Sequence, residues 1–167
     1  MAEATAAEAG TPAGAPPADA IPWLGVWTQA RVDDDAYDRV LAASGIPWAV
    51  RKLLQSFTAQ RELVLPPGKP VLFRSKMLTG SWNELHADEP TTFSLLGYSI
   101  DTLVTWENDG TRLVSTMKTT AADGYFTSGW STTTIITHEL HDGELVVQTI
   151  APEGEYTMWF TRGPAPE

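Results

Sequence analysis

"GIPWAVRKLLQSF", residues 45–57, is the stretch on which the fold turns. Ile46, Trp48, Ala49, Val50, Leu53, Leu54 and Phe57 give it a compact helical pattern, with basic Arg51 and Lys52 between them. Immediately upstream, "AYDRVLAA" (36–43) places Tyr37, Val40 and Leu41 on one face of a second short helix. The acidic run Asp33-Asp34-Asp35 puts a carboxylate where it can cap that helix. Ser44-Gly45 breaks it, and Pro47 fits the first turn of the next one. Residues 35–57 therefore read as two short amphipathic helices joined by a tight turn. A DNA-reading helix pair is excluded by charge: Asp33, Asp34, Asp35 and Asp38 outweigh Arg39.

Everything around this patch reads as β-strand. "PWLGVWTQARV" (22–32) is the first strand. After Gln60 come "RELVL" and "VLFRSKM" about the turn "PPGKP", then "SWNELHA" and "TTFSLLG". "IDTLVTWE" and "RLVSTMK" flank "NDGT", a strong hairpin signal. "YFTSGWSTTTIITHEL" is a longer, Thr-rich strand, and "ELVVQTI" and "EYTMWFTR" finish the series. Many short strands at regular spacing, joined as a meander, predict an all-β fold closed into an antiparallel up-and-down barrel.

Composition bounds the rest. The chain has 167 residues, 43% of them hydrophobic, enough for one domain with a real core. Seven Trp predict that several line a core or a cavity. There are no cysteines, so neither disulfides nor a thiolate metal site can form. A net charge of −10 repels phosphate backbones and anionic membranes, which argues against nucleic acid as a partner. No apolar run reaches the length of a membrane span, so stable membrane insertion is not expected. Residues 1–20 are Ala, Pro, Gly and acid, and read as a disordered tail; residues 164–167 read as a shorter one. The expected domain is 21–163.

Five motifs, in order, resemble the intracellular lipid-binding proteins, the fatty-acid-binding and cellular retinoid-binding branch of the calycins. "WLGVW" is similar to that family's aromatic-x-Gly-x-Trp, through Trp23, Gly25 and Trp27. "GIPWAVRK" resembles the start of its second helix. "FSLLGYSID" resembles its Phe-x-Leu-Gly segment with one residue inserted. "THELHDGELVV" is similar to its hairpin, and "YTMWFTR" to its closing strand. The likeness runs from Trp23 to Arg162, with 66–92 matching poorly. It implies a ten-stranded barrel around a ligand cavity, with a helix-turn-helix lid inserted after the first strand. A barrel of that size has more interior than side chains readily fill, and two short amphipathic helices can cover its mouth.

The resemblance also implies where a ligand head would sit. Family members that bind carboxylates use an inward Arg on the long strand and an Arg-x-Tyr pair on the last. Here those positions hold His138 and Met158-x-Phe160. Strand alternation then places Ile136, Thr134, Thr132 and Trp130 beside His138, and Tyr156 beside Met158 and Phe160. Trp48 is expected to face inward from the second helix, as the family's aromatic there implies, and Tyr37 to line the site from the first. The ligand-binding set is thus His138, Met158, Phe160, Tyr156, Trp130, Thr134, Ile136, Trp48 and Tyr37. With no arginine at the family's positions, the expected ligand is apolar with a neutral or weakly polar head. A second reading of His138, a core histidine holding a hydrogen-bond network, stands beside this one. Arg51 and Lys52 are expected on a solvated lid face. His86, His138 and His141 lack metal-ligand spacing, so no metal and no cofactor are expected.

The expected function is a monomeric, cytoplasmic barrel that binds and carries or sequesters a hydrophobic small molecule such as a fatty acid, retinoid or related lipid. The first rival is an enzyme on a calycin-type barrel, an isomerase, cyclase or luciferase-like protein, with His138 as acid or base and Tyr156 as helper. The second is a partner-binding module using the tail or the lid.

Overall fold

The structure is a computed structural model, and it describes residues 22–66, 71–76, 82–95, 97–107, 110–121 and 131–163. Both predicted tails, residues 67–70 of the turn "PPGKP", residues 108–109 of "NDGT" and Trp130 lie outside the described residues.

Ten strands and two helices follow one another along the chain. β1 (Gly25–Val32) leads into α1 (Asp34–Ala43) and α2 (Trp48–Gln55). Then come β2 (Gln60–Val64), β3 (Leu72–Lys76), β4 (Asn83–His86) and β5 (Thr91–Leu95). β6 (Tyr98–Glu107), β7 (Arg112–Ala121), β8 (Ser131–His141), β9 (Glu144–Ala151) and β10 (Gly154–Arg162) complete the series. The sheet order is β4-β3-β2-β1-β10-β9-β8-β7-β6-β5, every neighbouring pair antiparallel. First and last strands pair, so the meander curls into a barrel. The seam falls between β4 and β5, which are consecutive in the chain but unpaired. It is spanned by a lone bridge between Ala87 and Val104 and by the Asp88 N–H donating to Val104 O at 2.7 Å.

The helices form where the acidic turn and the helical pattern placed them. The Asp33 carboxylate accepts from the Ala36 N–H at 3.1 Å, satisfying one orphan donor of α1. Pro47 precedes α2 with an extended ψ of 145°, so it caps that helix from outside rather than opening its first turn. α1 buries Ala36, Tyr37 and Val40 against the barrel. β10 passes close beneath it: a Cβ at Gly154, whose φ is +143°, would lie 3.3 Å from Val40 Cγ2. Only glycine suits both the backbone and the spacing there.

Arg51 is not part of a solvated face. Its side chain donates to Asp38 Oδ1 on α1 and to Ile46 O, at 3.2 and 2.9 Å, and so ties α2 to α1. Gln55 Nε2 donates to the same carboxylate at 3.2 Å, a second tie between the helices. Lys52 is the residue of the pair that reaches solvent.

One end of the barrel is sealed. Trp23, Trp27, Leu63, Leu113, Leu145, Val147 and Phe160 are essentially inaccessible. Trp27 Nε1 donates to Trp23 O at 2.7 Å, which satisfies a buried indole. Arg162 clamps the end of the β1–β10 pair on the face that carries Trp27, which it stands opposite in the register. Its guanidinium donates to Pro22 O and Leu24 O and lies 4.5 Å over the Trp27 ring. Arg162→Ala is expected to lower stability by about 1–3 kcal/mol, read from the urea midpoint, because it strips two carbonyls of a charged donor. An unchanged midpoint would show that the clamp is ornamental.

Candidate functional site

The interior wall is built by strand alternation. On β8, His138, Ile136, Thr134 and Thr132 face in, while Thr133 and Ile135 are exposed. On β10, Tyr156, Met158 and Phe160 face in. The register sets them in rows: Met158 opposite Val147 opposite His138 opposite Leu113, then Tyr156 opposite Thr149 opposite Ile136 opposite Ser115. The first row is sealed. In the second, Tyr156 and Ile136 keep accessible surface, as do Thr134 and Thr132 beyond it. Tyr37 reaches this region from α1, its ring 4.8 Å from that of Tyr156.

Trp48 is not in this group. It is 65% exposed on α2, and Leu53 beside it is also exposed. The expectation that it faces inward is corrected. α2 rests on α1, and of its apolar residues Leu54 is the one packed against the core. α2 is apolar around most of its circumference, and Leu54 rather than Trp48 is the residue that docks.

His138 is 1% exposed, packed edge-on against Phe73 with ring centroids 4.9 Å apart. Its Nδ1 lies 3.4 Å from Leu113 O. A carbonyl can only accept, so Nδ1 carries the proton and Nε2 is a bare acceptor. Nε2 has no partner among the described residues. Burial first, and then the positive charge of Arg61, push this imidazole down to about 3. It is neutral throughout the physiological range.

That positive charge is the residue the motif reading missed. Arg61, on β2, faces the interior at 7% exposure, with its guanidinium 5.3 Å from the Phe160 ring. It donates to Gln60 O at 3.0 Å and makes no ion pair among the described residues. Burial brings its pKa down from the ordinary guanidinium value to about 10, with the Tyr156 and Tyr37 phenols, not a carboxylate, acting the other way. It remains a cation at neutral pH. Burial pushes both phenols up in turn, so both keep their protons. Arg61, Tyr37, Tyr156 and His138 thus gather at one place: a buried cation, two neutral hydroxyls and a neutral imidazole. The wall thus carries a cation on β2, away from the β8 and β10 positions on which the expectation of a neutral ligand head rests. A signal was present in the sequence: in "QRELV", alternation puts Arg61 on the same face as Leu63, which is 1% exposed.

Among the described residues no group of His, Cys, Asp or Glu could hold a metal ion, and no helix is long and apolar enough to cross a membrane.

No family model matches the chain, and no curated protein matches it in sequence. Solved structures do match. Echinococcus granulosus fatty-acid-binding protein 1 superposes with a TM-score of 0.65 at 14% identity, over 85% of this chain and 98% of that one. A Schistosoma mansoni fatty acid binding protein in complex with arachidonic acid gives 0.65 at 15% identity, over 85% and 96%. Human cRBP IV gives 0.60 at 19% identity, over 84% and 97%. The chain has the fold of the fatty-acid-binding and retinoid-binding proteins.

Proposed function

We propose that this barrel, built on the fold of the intracellular lipid-binding proteins, binds an apolar molecule with a carboxylate head and holds that head on Arg61. The observation that carries the reading is the buried guanidinium without a counter-ion. A charge taken out of water is costly unless paired, and an entering carboxylate supplies the pair. The Tyr37 and Tyr156 hydroxyls stand ready to donate to the same oxygens, and the half-buried inner face of β8 and β10 takes the apolar body. The structural neighbours whose names specify fatty-acid binding support the class of ligand. Carriage or sequestration follows from retention without chemistry. A buried imidazole lowered to about 3 is poorly matched to acid–base work near neutral pH, which favours binding over the barrel-enzyme rival.

The test is competition between palmitate and 1-hexadecanol for the delipidated protein. The acid is expected to bind at least tenfold more tightly, and Arg61→Gln to remove that preference. Equal binding of acid and alcohol to the wild type would end the proposal.

A further inference from the structure

A second group of buried polar atoms lies on the wall formed by β6, β7 and β8, and the carboxylate site does not use it. Ser115 Oγ, Thr102 Oγ1, Trp106 Nε1 and His138 Nε2 are all buried without a hydrogen-bond partner among the described residues. Ser115, Thr102 and His138 are 2%, 3% and 1% exposed. The register makes them one patch. Ser115 pairs with Val104 on β6 and with Ile136 on β8. Thr102 and Trp106 flank Val104, and His138 is two residues from Ile136, so each lies one diagonal step from Ser115 on the inner face. Diagonal neighbours across a sheet are about 7–8 Å apart at Cα, within reach of a shared small group.

The chemistry of the patch is mixed. Trp106 Nε1 can only donate. His138 Nε2, with the proton on Nδ1, can only accept. The two hydroxyls do either. An alkyl chain satisfies none of these, and buried polar groups left unpaired are costly. A hydroxyl satisfies both kinds at once. One such orphan would be an accident of packing, but Ser115 and its three diagonal neighbours form a polar island among the apolar Val104, Leu113 and Ile136.

We infer that this island is a second polar subsite, and that the ligand is an oxygenated carboxylic acid, its acid group on Arg61 and a hydroxyl or carbonyl of its body seated around Ser115. The inference rests on the carboxylate reading for the acid end alone; the island itself is independent of it.

The experiment is isothermal titration of the delipidated protein with palmitate and with monohydroxypalmitates carrying the hydroxyl at several positions along the chain. 1-Hexadecanol and the corresponding diols form a neutral series. One hydroxyl position is expected to bind about tenfold more tightly than palmitate, the worth of one good hydrogen bond plus relief of an unpaired group. Ser115→Ala and Thr102→Val, both close in volume to the parent residues, are expected to erase that gain and leave palmitate itself unchanged. If no hydroxylated acid outbinds palmitate, or if both variants weaken plain and hydroxylated ligands equally, the island serves ordered water or packing and the inference is overturned. The neutral series separates the two readings. A diol that outbinds 1-hexadecanol upholds the island even if palmitate shows no advantage over the alcohol, whereas acid preference without any hydroxyl preference upholds Arg61 and removes the island.

Discussion

Arg61→Met is expected to give a protein that is more stable when empty and nearly unable to hold an acid. The two effects have one cause. In the folded chain the guanidinium pKa falls from its ordinary value to about 10, chiefly through burial. At about 1.4 kcal/mol per pH unit, keeping the cation inside costs about 3 kcal/mol relative to water. Deprotonation relieves that cost only above about pH 10, so at neutral pH it is fully present. Two things can remove it: a bound anion, or a substitution that deletes the charge. Methionine preserves the stem and fills the volume with a pliable apolar chain. Its contacts with Phe160 replace those of the guanidinium face.

The delipidated Met variant should therefore melt several degrees higher than delipidated wild type, given about 2–4 °C per kcal/mol for a domain of this size. Addition of palmitate should raise the melting temperature of the wild type strongly and that of the variant little, since stabilisation by a ligand follows its affinity for the folded state. Buried charges replaced by apolar residues commonly stabilise a fold, whereas those kept at a functional site trade stability for binding. A variant that melts lower than wild type when empty would show that the guanidinium is satisfied within the protein. Arg61 would then be structural, and the carboxylate site would lose its anchor.

Arg61 also shows where a sequence stops being legible. The fold could be read because its signals are repetitive. Ten alternating segments, an acidic cap at Asp33 and one helical interruption all point the same way, and agreement among many weak signals fixes a topology. The site depends on single residues, and there the reading divided. Facing on β8 and β10 follows from period-2 alternation, so the inward set around His138 and Met158 is accessible to arithmetic. Whether a cation exists elsewhere in the wall is not. β2 carries charge on both faces, Arg61 inward and Glu62 paired outward with Arg74. A five-residue strand with a charge on each side gives alternation no apolar face to choose by, apart from Leu63. Attention to the family's arginine positions then looked for the charge on the wrong strands. Trp48 failed for a different reason. A short helix with apolar residues on most of its circumference can dock any of them, and the choice is made by α1 and the Arg51 tie, both tertiary. The orphan hydroxyls of Ser115 and Thr102 look like ordinary strand residues until the register brings them together.

His138 makes the remaining large effect one of pH. Its imidazole is neutral in the fold down to about pH 3, whereas in the unfolded chain it takes up a proton near its ordinary 6.5. Below 6.5 the unfolded state binds a proton that the folded state refuses. Stability therefore rises with pH across this window, and is lost as pH falls from 6.5 toward 3. Between pH 7.5 and pH 5 this one group should remove about 2 kcal/mol. Burial beside Phe73, and then the Arg61 cation, hold it neutral, while the Leu113 carbonyl on Nδ1 acts the other way. The measurement is urea unfolding of the delipidated protein at pH 7.5, 6.5 and 5, on wild type and on His138→Gln. The glutamine variant starts lower or higher according to how it packs, but that offset is the same at each pH. What distinguishes it is the slope: wild type should lose about 2 kcal/mol more than the variant over this range. Every other ionisable group is common to the two proteins and cancels in the difference. Parallel losses in the two proteins would mean that His138 accepts its proton while folded. It would then be reached by water rather than sealed, and its Nε2 could not serve as the bare acceptor of the polar island.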